Sequence, residues 1–182
     1  MRSIKIHNKS FILFITEGVI LERINILAEE INQDYVGKSP LFIVVLNGAF
    51  MFASDLFKSL DIEPEICFIK LASYNGMASS GQINTMIGLD KDISGRHVVV
   101  VEDIVDTGRT IDLLLKQLES LAPASVSVAA LLHKPDATEC SVKIDYLGFQ
   151  VPNRFLLGYG LDYDGLGRNL RDIYQLELQT DS

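Results

Sequence analysis

The chain has 182 residues, 48% hydrophobic and 22% charged, which supplies enough apolar side chain for a packed core and fits one domain of roughly 100–200 residues. A net charge of −8 and a pI near 4.8 argue against non-specific attraction to nucleic acid or anionic membrane, which needs a basic surface to displace counterions. A phosphorylated ligand would have to be held by local groups or by a metal.

In chain order, the stretch FILFI (11–15) is cut short at Thr16 and Glu17. The longest later run, LFIVVLNGAFMFA (41–53), also falls below the roughly 18 apolar residues that suggest a membrane span. Neither a signal peptide nor a transmembrane helix is expected. Ile20, Ile24, Leu27 and Ile31 recur at helical spacing behind a plausible N-cap at Thr16, predicting an amphipathic helix over about 16–33.

LFIVVLN (41–47) reads as a strand, and after Gly48 the positions Ala53, Leu56, Phe57 and Leu60 return to helical spacing. The apolar segment EICFIKLASY (65–74) leads into NGMASSGQ (75–82), whose Gly, Ser and Asn predict a mobile loop over about 74–82. INTMIGL (83–89) is a short strand candidate. In RHVVVVED (96–103) the unbroken valines suit a strand covered on both faces of a parallel sheet. Ile111, Leu114, Leu115, Leu118 and Leu121 predict a helix stopped by Pro123, and SVSVAALLHK (125–134) another buried strand.

The tail DYLGFQVPNRFLLGYGLDYDGLGRNL (145–170) is rich in glycine and aromatics without a long periodic stretch. Alternating strand and helix over most of the chain implies an α/β fold with a mostly parallel sheet. Cys67 and Cys140 stand in no metal-ligand spacing and read as two free thiols, which suits a reducing, cytoplasmic setting.

The segment VVVVEDIVDTGRT (98–110) carries the chemistry. Ligands bind at the carboxyl ends of strands in open α/β sheets, where Glu102, Asp103 and Asp106 should emerge. Thr107, Gly108, Arg109 and Thr110 then lead into a helix N-terminus, whose free N–H groups and positive dipole end favour phosphate. No Walker A or G-x-G-x-x-G pattern occurs, so the usual support for an NTPase or dinucleotide site is missing. Phosphate at one side and two adjacent carboxylates at the other would suit a sugar phosphate with cis hydroxyls, since carboxylates accept hydrogen bonds from hydroxyls. The residues alone leave open that the acids only solvate the strand end while Thr107 or Thr110 caps the helix.

VVVVEDIVDTGRT resembles the phosphoribosyl pyrophosphate (PRPP) signature of type I phosphoribosyltransferases. From about residue 11 to 174 the chain is similar to hypoxanthine-guanine phosphoribosyltransferases, through LNGAFMFASDL, SY, LLHKP and VPNRFLLGYGLDYDGLGRNL. The resemblance implies one phosphoribosyltransferase domain spanning 1–182, with a small hood built from the N-terminal segment and about 150–182. It also implies transfer of the 5-phosphoribosyl group from PRPP to N9 of a 6-oxopurine, with Mg²⁺ as cofactor, in a homodimer or homotetramer.

By that likeness Glu102 and Asp103 lie under the ribose hydroxyls, and Thr107, Gly108, Arg109 and Thr110 wrap the 5′-phosphate, Arg109 chiefly through its backbone. Asp106 manages the purine N7 proton as N9 attacks C1′. Lys134 donates to the purine O6; an ammonium can only donate, so it fits a 6-oxo group and not an adenine amino group. Phe155 stacks on the base and Leu156 meets its edge through the backbone. Asp162 lies near the base and, with Glu102 and Asp103, helps hold the metal, largely through water.

Arg168 takes pyrophosphate, as does the loop Leu46, Asn47 and Gly48, where the family has a non-proline cis peptide. Many relatives carry lysine where Asn47 stands, so no charged contact is carried over to that side chain. Ser73 and Tyr74 open the loop that closes over the reacting centre. His133 receives no catalytic role. Two alternatives stay open: an enzyme preferring xanthine, and a PRPP-sensing regulator that binds nucleic acid. The acidic balance, and Asp106 and Lys134 standing with a purine-stacking Phe155, speak against the second.

Overall fold

The computed structural model describes residues 2–72 and 84–177. Two short strands open the chain, β1 (Ser3–Ile6) and β2 (Lys9–Ile15), paired antiparallel as a hairpin. Helix α1 (Glu17–Asp34), strand β3 (Leu41–Leu46), helix α2 (Phe50–Lys58) and strand β4 (Glu65–Ala72) follow. After β5 (Asn84–Ile87) come β6 (His97–Val105), α3 (Arg109–Glu119) and β7 (Ser125–His133). The chain ends through β8 (Tyr146–Gln150), β9 (Leu156–Leu157) and β10 (Ile173–Leu176).

The main sheet has the order β5-β4-β3-β6-β7-β8. Its pairs from β4 to β8 are parallel, and only the edge strand β5 runs antiparallel, against β4. The valine run therefore lies at the centre: Val98 to Val101 pair with Leu41 to Val44 on one side and with Val126 to Ala129 on the other. Alternate residues of a strand face opposite sides, and the core divides accordingly. Val99 and Val101 join Phe42 and Val44 under α1 and α2, where Ile20, Ile24, Leu27, Ile31, Phe52 and Leu56 are buried. Val98 and Val100 join Ile43 and Val45 under α3, against Ile111, Leu114 and Leu118. Each such side chain contributes about 1.5–3 kcal/mol on burial.

A second, four-stranded sheet has the order β1-β2-β10-β9 and is antiparallel throughout. It brings the N-terminal hairpin against the glycine-rich tail over a small core of Phe11, Leu157 and Tyr174. FILFI thus proves to be part of strand β2, with Phe11 fully buried.

Three boundaries differ from the periodicity. Thr16 occupies the N-cap position of α1 but makes no side-chain cap; the Glu17 N–H instead donates to Asp172 Oδ1 at 2.8 Å. Leu60 lies past the end of α2, although it still packs on the core. Helix α3 stops at Glu119, so Leu121 is beyond it and 48% exposed. The loop at 74–82 lies outside the described residues. Cys67 and Cys140 are free thiols, and no helix of the described residues is long and apolar enough to cross a membrane.

Candidate active site

The site is built at the carboxyl ends of β3, β6 and β7. The register of β6 on β7 runs from His97 opposite Ser125 to Val105 opposite His133, so the two strands finish level. The next residue of each chain segment is Asp106 and Lys134. Their side chains meet: Lys134 Nζ donates to Asp106 Oδ2 at 2.7 Å, and the Lys134 N–H bonds the Val105 carbonyl at 3.0 Å. Lys134 is only 8% exposed. A buried ammonium is tolerated when paired, and Asp106, nearly half exposed, is the partner.

Between Asp106 and α3 the backbone is shaped for close approach. Gly108 has φ +79, and a Cβ there would stand 2.4 Å from the Cys140 carbonyl oxygen, so no other residue fits without moving that backbone. The Thr107 carbonyl accepts from the N–H groups of Glu139 and Cys140 at 2.9 and 3.0 Å. The helix ladder begins with Asp112 N–H on the Gly108 carbonyl at 2.9 Å; the Arg109 N–H reaches Thr107 Oγ1 at 3.4 Å, leaving those of Thr110 and Ile111 as the orphan donors of a helix start. The Arg109 side chain turns away to pair with Glu139. A cavity of about 240 Å³ opens here, lined among others by Leu46, Glu102, Asp103, Asp106, Thr107, Gly108 and Thr110.

Glu102 and Asp103 share that cavity and form no ion pair among the described residues. The Glu102 carboxyl is held well above the ordinary carboxylate range, first by desolvation and then by the charge of Asp103. Asp103 Oδ1 accepts the Ile104 N–H at 3.0 Å. Its Oδ2 lies against Gly48, where a Cβ would come within 1.6 Å of it. Two adjacent acids without a counter-charge suit a donor-rich ligand, such as sugar hydroxyls, or a hard cation.

The peptide between Leu46 and Asn47 is cis, as the resemblance implied. Gly48 is covered from the other side by Gly160, at which a Cβ would be 2.0 Å from the Gly48 carbonyl oxygen. Arg168 sits beside it: Nη1 donates to the Gly160 carbonyl at 2.7 Å and Nη2 pairs with Asp162 Oδ1 at 2.6 Å. Asp162 Oδ2 accepts the Gly165 N–H at 2.7 Å. Asp162 is thus bonded through both oxygens. The acids do not gather into a single cage; among the described residues no group of three metal-ligating side chains occurs.

Phe155 is 43% exposed, with its ring 5.7 Å from Tyr163, edge on, and 6.2 Å from Phe11. Leu156 is buried and lies opposite Gln175 in the edge strand β9, so one side of that backbone faces no strand partner. His133 bonds Thr138 through Nε2 at 3.0 Å, a structural contact. Ser73 and Tyr74 lie outside the described residues. Two residues near the site carried no sequence signal of their own: Tyr159, inside GYG, whose hydroxyl donates to Asp55 Oδ2 at 2.5 Å, and Tyr163 beneath Phe155.

A model of the phosphoribosyl transferase domain matches residues 16–164. The chain is 41% identical over 172 residues to the hypoxanthine-guanine phosphoribosyltransferase of Mycobacterium tuberculosis, covering 91% of this chain and 85% of that protein. It is 39% identical over 165 residues to a bifunctional protein TilS/HprT of Listeria innocua, 90% of this chain but only 26% of that longer protein. A solved hypoxanthine phosphoribosyl transferase of Trypanosoma cruzi superposes with a TM-score of 0.87 at 35% identity, over 96% of this chain and 95% of that one. With 149 consecutive positions inside the family model (16 to 164) and relatives of this similarity, the chain belongs to the phosphoribosyl transferase family.

Proposed function

We propose that this chain transfers the 5-phosphoribosyl group of PRPP to N9 of a 6-oxopurine, hypoxanthine or guanine, forming IMP or GMP and pyrophosphate in purine salvage. The observation that carries it is the Lys134–Asp106 pair at 2.7 Å, beside a helix start and two uncompensated acids. The names of the relatives, hypoxanthine-guanine phosphoribosyltransferase among them, point the same way.

In this reading the α3 N-terminus and the Thr107–Thr110 loop bind the 5′-phosphate, and Glu102 and Asp103 bind the ribose hydroxyls. The incoming base displaces Lys134 from Asp106. Lys134 then donates to O6 while Asp106 accepts from N7, so that N9 keeps its electron pair for C1′. The Asp106 charge also favours the positive character that builds on the ribose as pyrophosphate departs. Phe155 covers the base and the Leu156 backbone meets its edge. Arg168 and the Leu46–Gly48 turn receive pyrophosphate, to which a guanidinium fork is matched.

Mg²⁺ suits the donor set: Glu102 and Asp103, with Asp162 through water, would hold it, and few carboxylates plus substrate oxygens are its usual environment. Bound there, it would neutralise charge on the pyrophosphate. The small antiparallel sheet serves as the hood of one domain, and we expect a homodimer or homotetramer acting in the cytoplasm. Release of pyrophosphate from PRPP that depends on added hypoxanthine or guanine tests the proposal. PRPP binding without release under any 6-oxopurine contradicts it.

A further inference from the structure

Tyr159 and Asp55 take no part in the chemistry above, yet they bound the turn that ends β3. Tyr159 is 2% exposed and holds φ +49, a backbone conformation uncommon for a bulky residue and worth a functional question. Its hydroxyl donates to Asp55 Oδ2 at 2.5 Å, while Lys58 pairs with the other oxygen at 2.8 Å. Asp55 lies on α2, the helix that begins just after the Leu46–Gly48 turn. Desolvation, and then the Asp55 carboxylate, hold the phenol far above its ordinary range, so it remains a donor at neutral pH.

The next residue, Gly160, stacks on the turn itself. It has φ +97, and its missing Cβ leaves room for the Gly48 carbonyl oxygen, which would otherwise be 2.0 Å away. Its N–H donates to the Arg168 carbonyl at 3.0 Å and its carbonyl accepts from Arg168 Nη1 at 2.7 Å. One dipeptide therefore touches α2, the turn and Arg168. Binding groups must be held within about 0.5 Å to act together; here the Tyr159 ring is buried in the core that Phe52, Ala53 and Leu56 of α2 share, and the Tyr159–Asp55 hydrogen bond fixes its position on that helix.

Resting on the phosphoribosyl-transfer reading, we infer that Tyr159 and Asp55 are positioning residues for the pyrophosphate subsite. Their bond fixes residues 159–160 on α2 and so keeps the Leu46–Gly48 turn and Arg168 in one arrangement. The base subsite at Lys134 and Asp106 is reached through other elements and does not depend on it.

The test compares wild type with Tyr159→Phe, Asp55→Asn and Asp55→Ala. Titration calorimetry reads the affinity for pyrophosphate, and steady-state kinetics read KM for PRPP and for hypoxanthine separately. Tyr159→Phe and Asp55→Ala should weaken pyrophosphate roughly tenfold and raise KM for PRPP similarly, the size of one lost charge-assisted hydrogen bond. KM for hypoxanthine should rise much less than KM for PRPP, since Lys134 and Asp106 are held by β6 and β7 and only Asp162, paired with Arg168, links the base to this subsite. Asp55→Asn keeps an acceptor for the phenol and should recover most of the affinity, and the Tyr159→Phe/Asp55→Ala double variant should be no worse than either single one.

Unchanged pyrophosphate affinity in Tyr159→Phe, or equal rises in both KM values, overturns the proposal. Should Tyr159→Phe fail to fold, the Asp55→Asn and Asp55→Ala pair decides, because equal behaviour of those two also overturns it. A wild type that binds neither PRPP nor pyrophosphate would sink the underlying assignment instead.

Discussion

Lys134 Nζ rests 2.7 Å from Asp106 Oδ2 across the ends of two neighbouring strands, so the two groups assigned to the base hold each other until a base arrives. The pair keeps a nearly buried ammonium satisfied. In the proposed function, binding of a 6-oxopurine would exchange this contact for one hydrogen bond to each group.

The two halves of the pair should fail differently. Asp106→Asn keeps a partner for Lys134 but cannot take a proton; kcat should fall by about 10²- to 10⁴-fold while the Kd for PRPP changes little. Lys134→Ala removes the O6 donor and should raise KM for hypoxanthine by roughly 10- to 100-fold. Steady-state kinetics with calorimetry of PRPP binding separates the two outcomes.

Gly108→Ala should cost phosphate affinity. The added methyl meets the Cys140 carbonyl at 2.4 Å in a left-handed backbone, so the Thr107–Thr110 loop must shift. We expect a Kd for PRPP raised by more than about tenfold, because several phosphate contacts depend on that one backbone path. Calorimetric titration of PRPP and Mg²⁺ into the folded variant measures it.

Asp172 caps α1 from a distance of 155 residues along the chain, taking the Glu17 N–H at 2.8 Å. Asp172→Ala should destabilise by about 1 kcal/mol, lowering Tm by roughly 2–4 °C for a chain of this size. A thermal melt followed by circular dichroism reads the shift.

Stability at alkaline pH should carry the signature of Cys67, whose thiol is pushed from an ordinary value near 9 up to about 11, chiefly by desolvation. The neutral thiol is favoured in the folded chain, so its contribution is complete below pH 9 and is lost as pH rises toward 11. At about 1.36 kcal/mol per pH unit, that loss is at most about 2.7 kcal/mol. Chemical denaturation across that range should show a shallower decline in Cys67→Ala than in the parent chain.

Much of the site was legible because it lies in one continuous segment. The valines that centre the sheet, the acids that follow and the loop into α3 are neighbours in sequence, and local spacing displays them. The Lys134–Asp106 contact was not legible from spacing, since it depends on the register of β6 against β7 over 28 positions. The second sheet was not legible from spacing for a related reason: β1 has four residues and β9 two, too few for periodicity, and the pairing that closes the sheet, β2 on β10, joins opposite ends of the chain; only the hood implied by the resemblance pointed to it. Thr16 marked the start of α1 within one residue, but its cap came from Asp172, which no local pattern could disclose. The resemblance reached what spacing could not: the cis peptide after Leu46 appears where it was expected.

The most direct test of the central claim measures initial rates of nucleotide formation by purified protein with PRPP and Mg²⁺, offering hypoxanthine, guanine, xanthine and adenine in parallel. IMP or GMP should form with hypoxanthine or guanine, and adenine should be turned over at least about 10²-fold more slowly, because Lys134 would find no acceptor on an amino group. Adenine turned over as fast as hypoxanthine, or no nucleotide from any 6-oxopurine while PRPP binds, would contradict it.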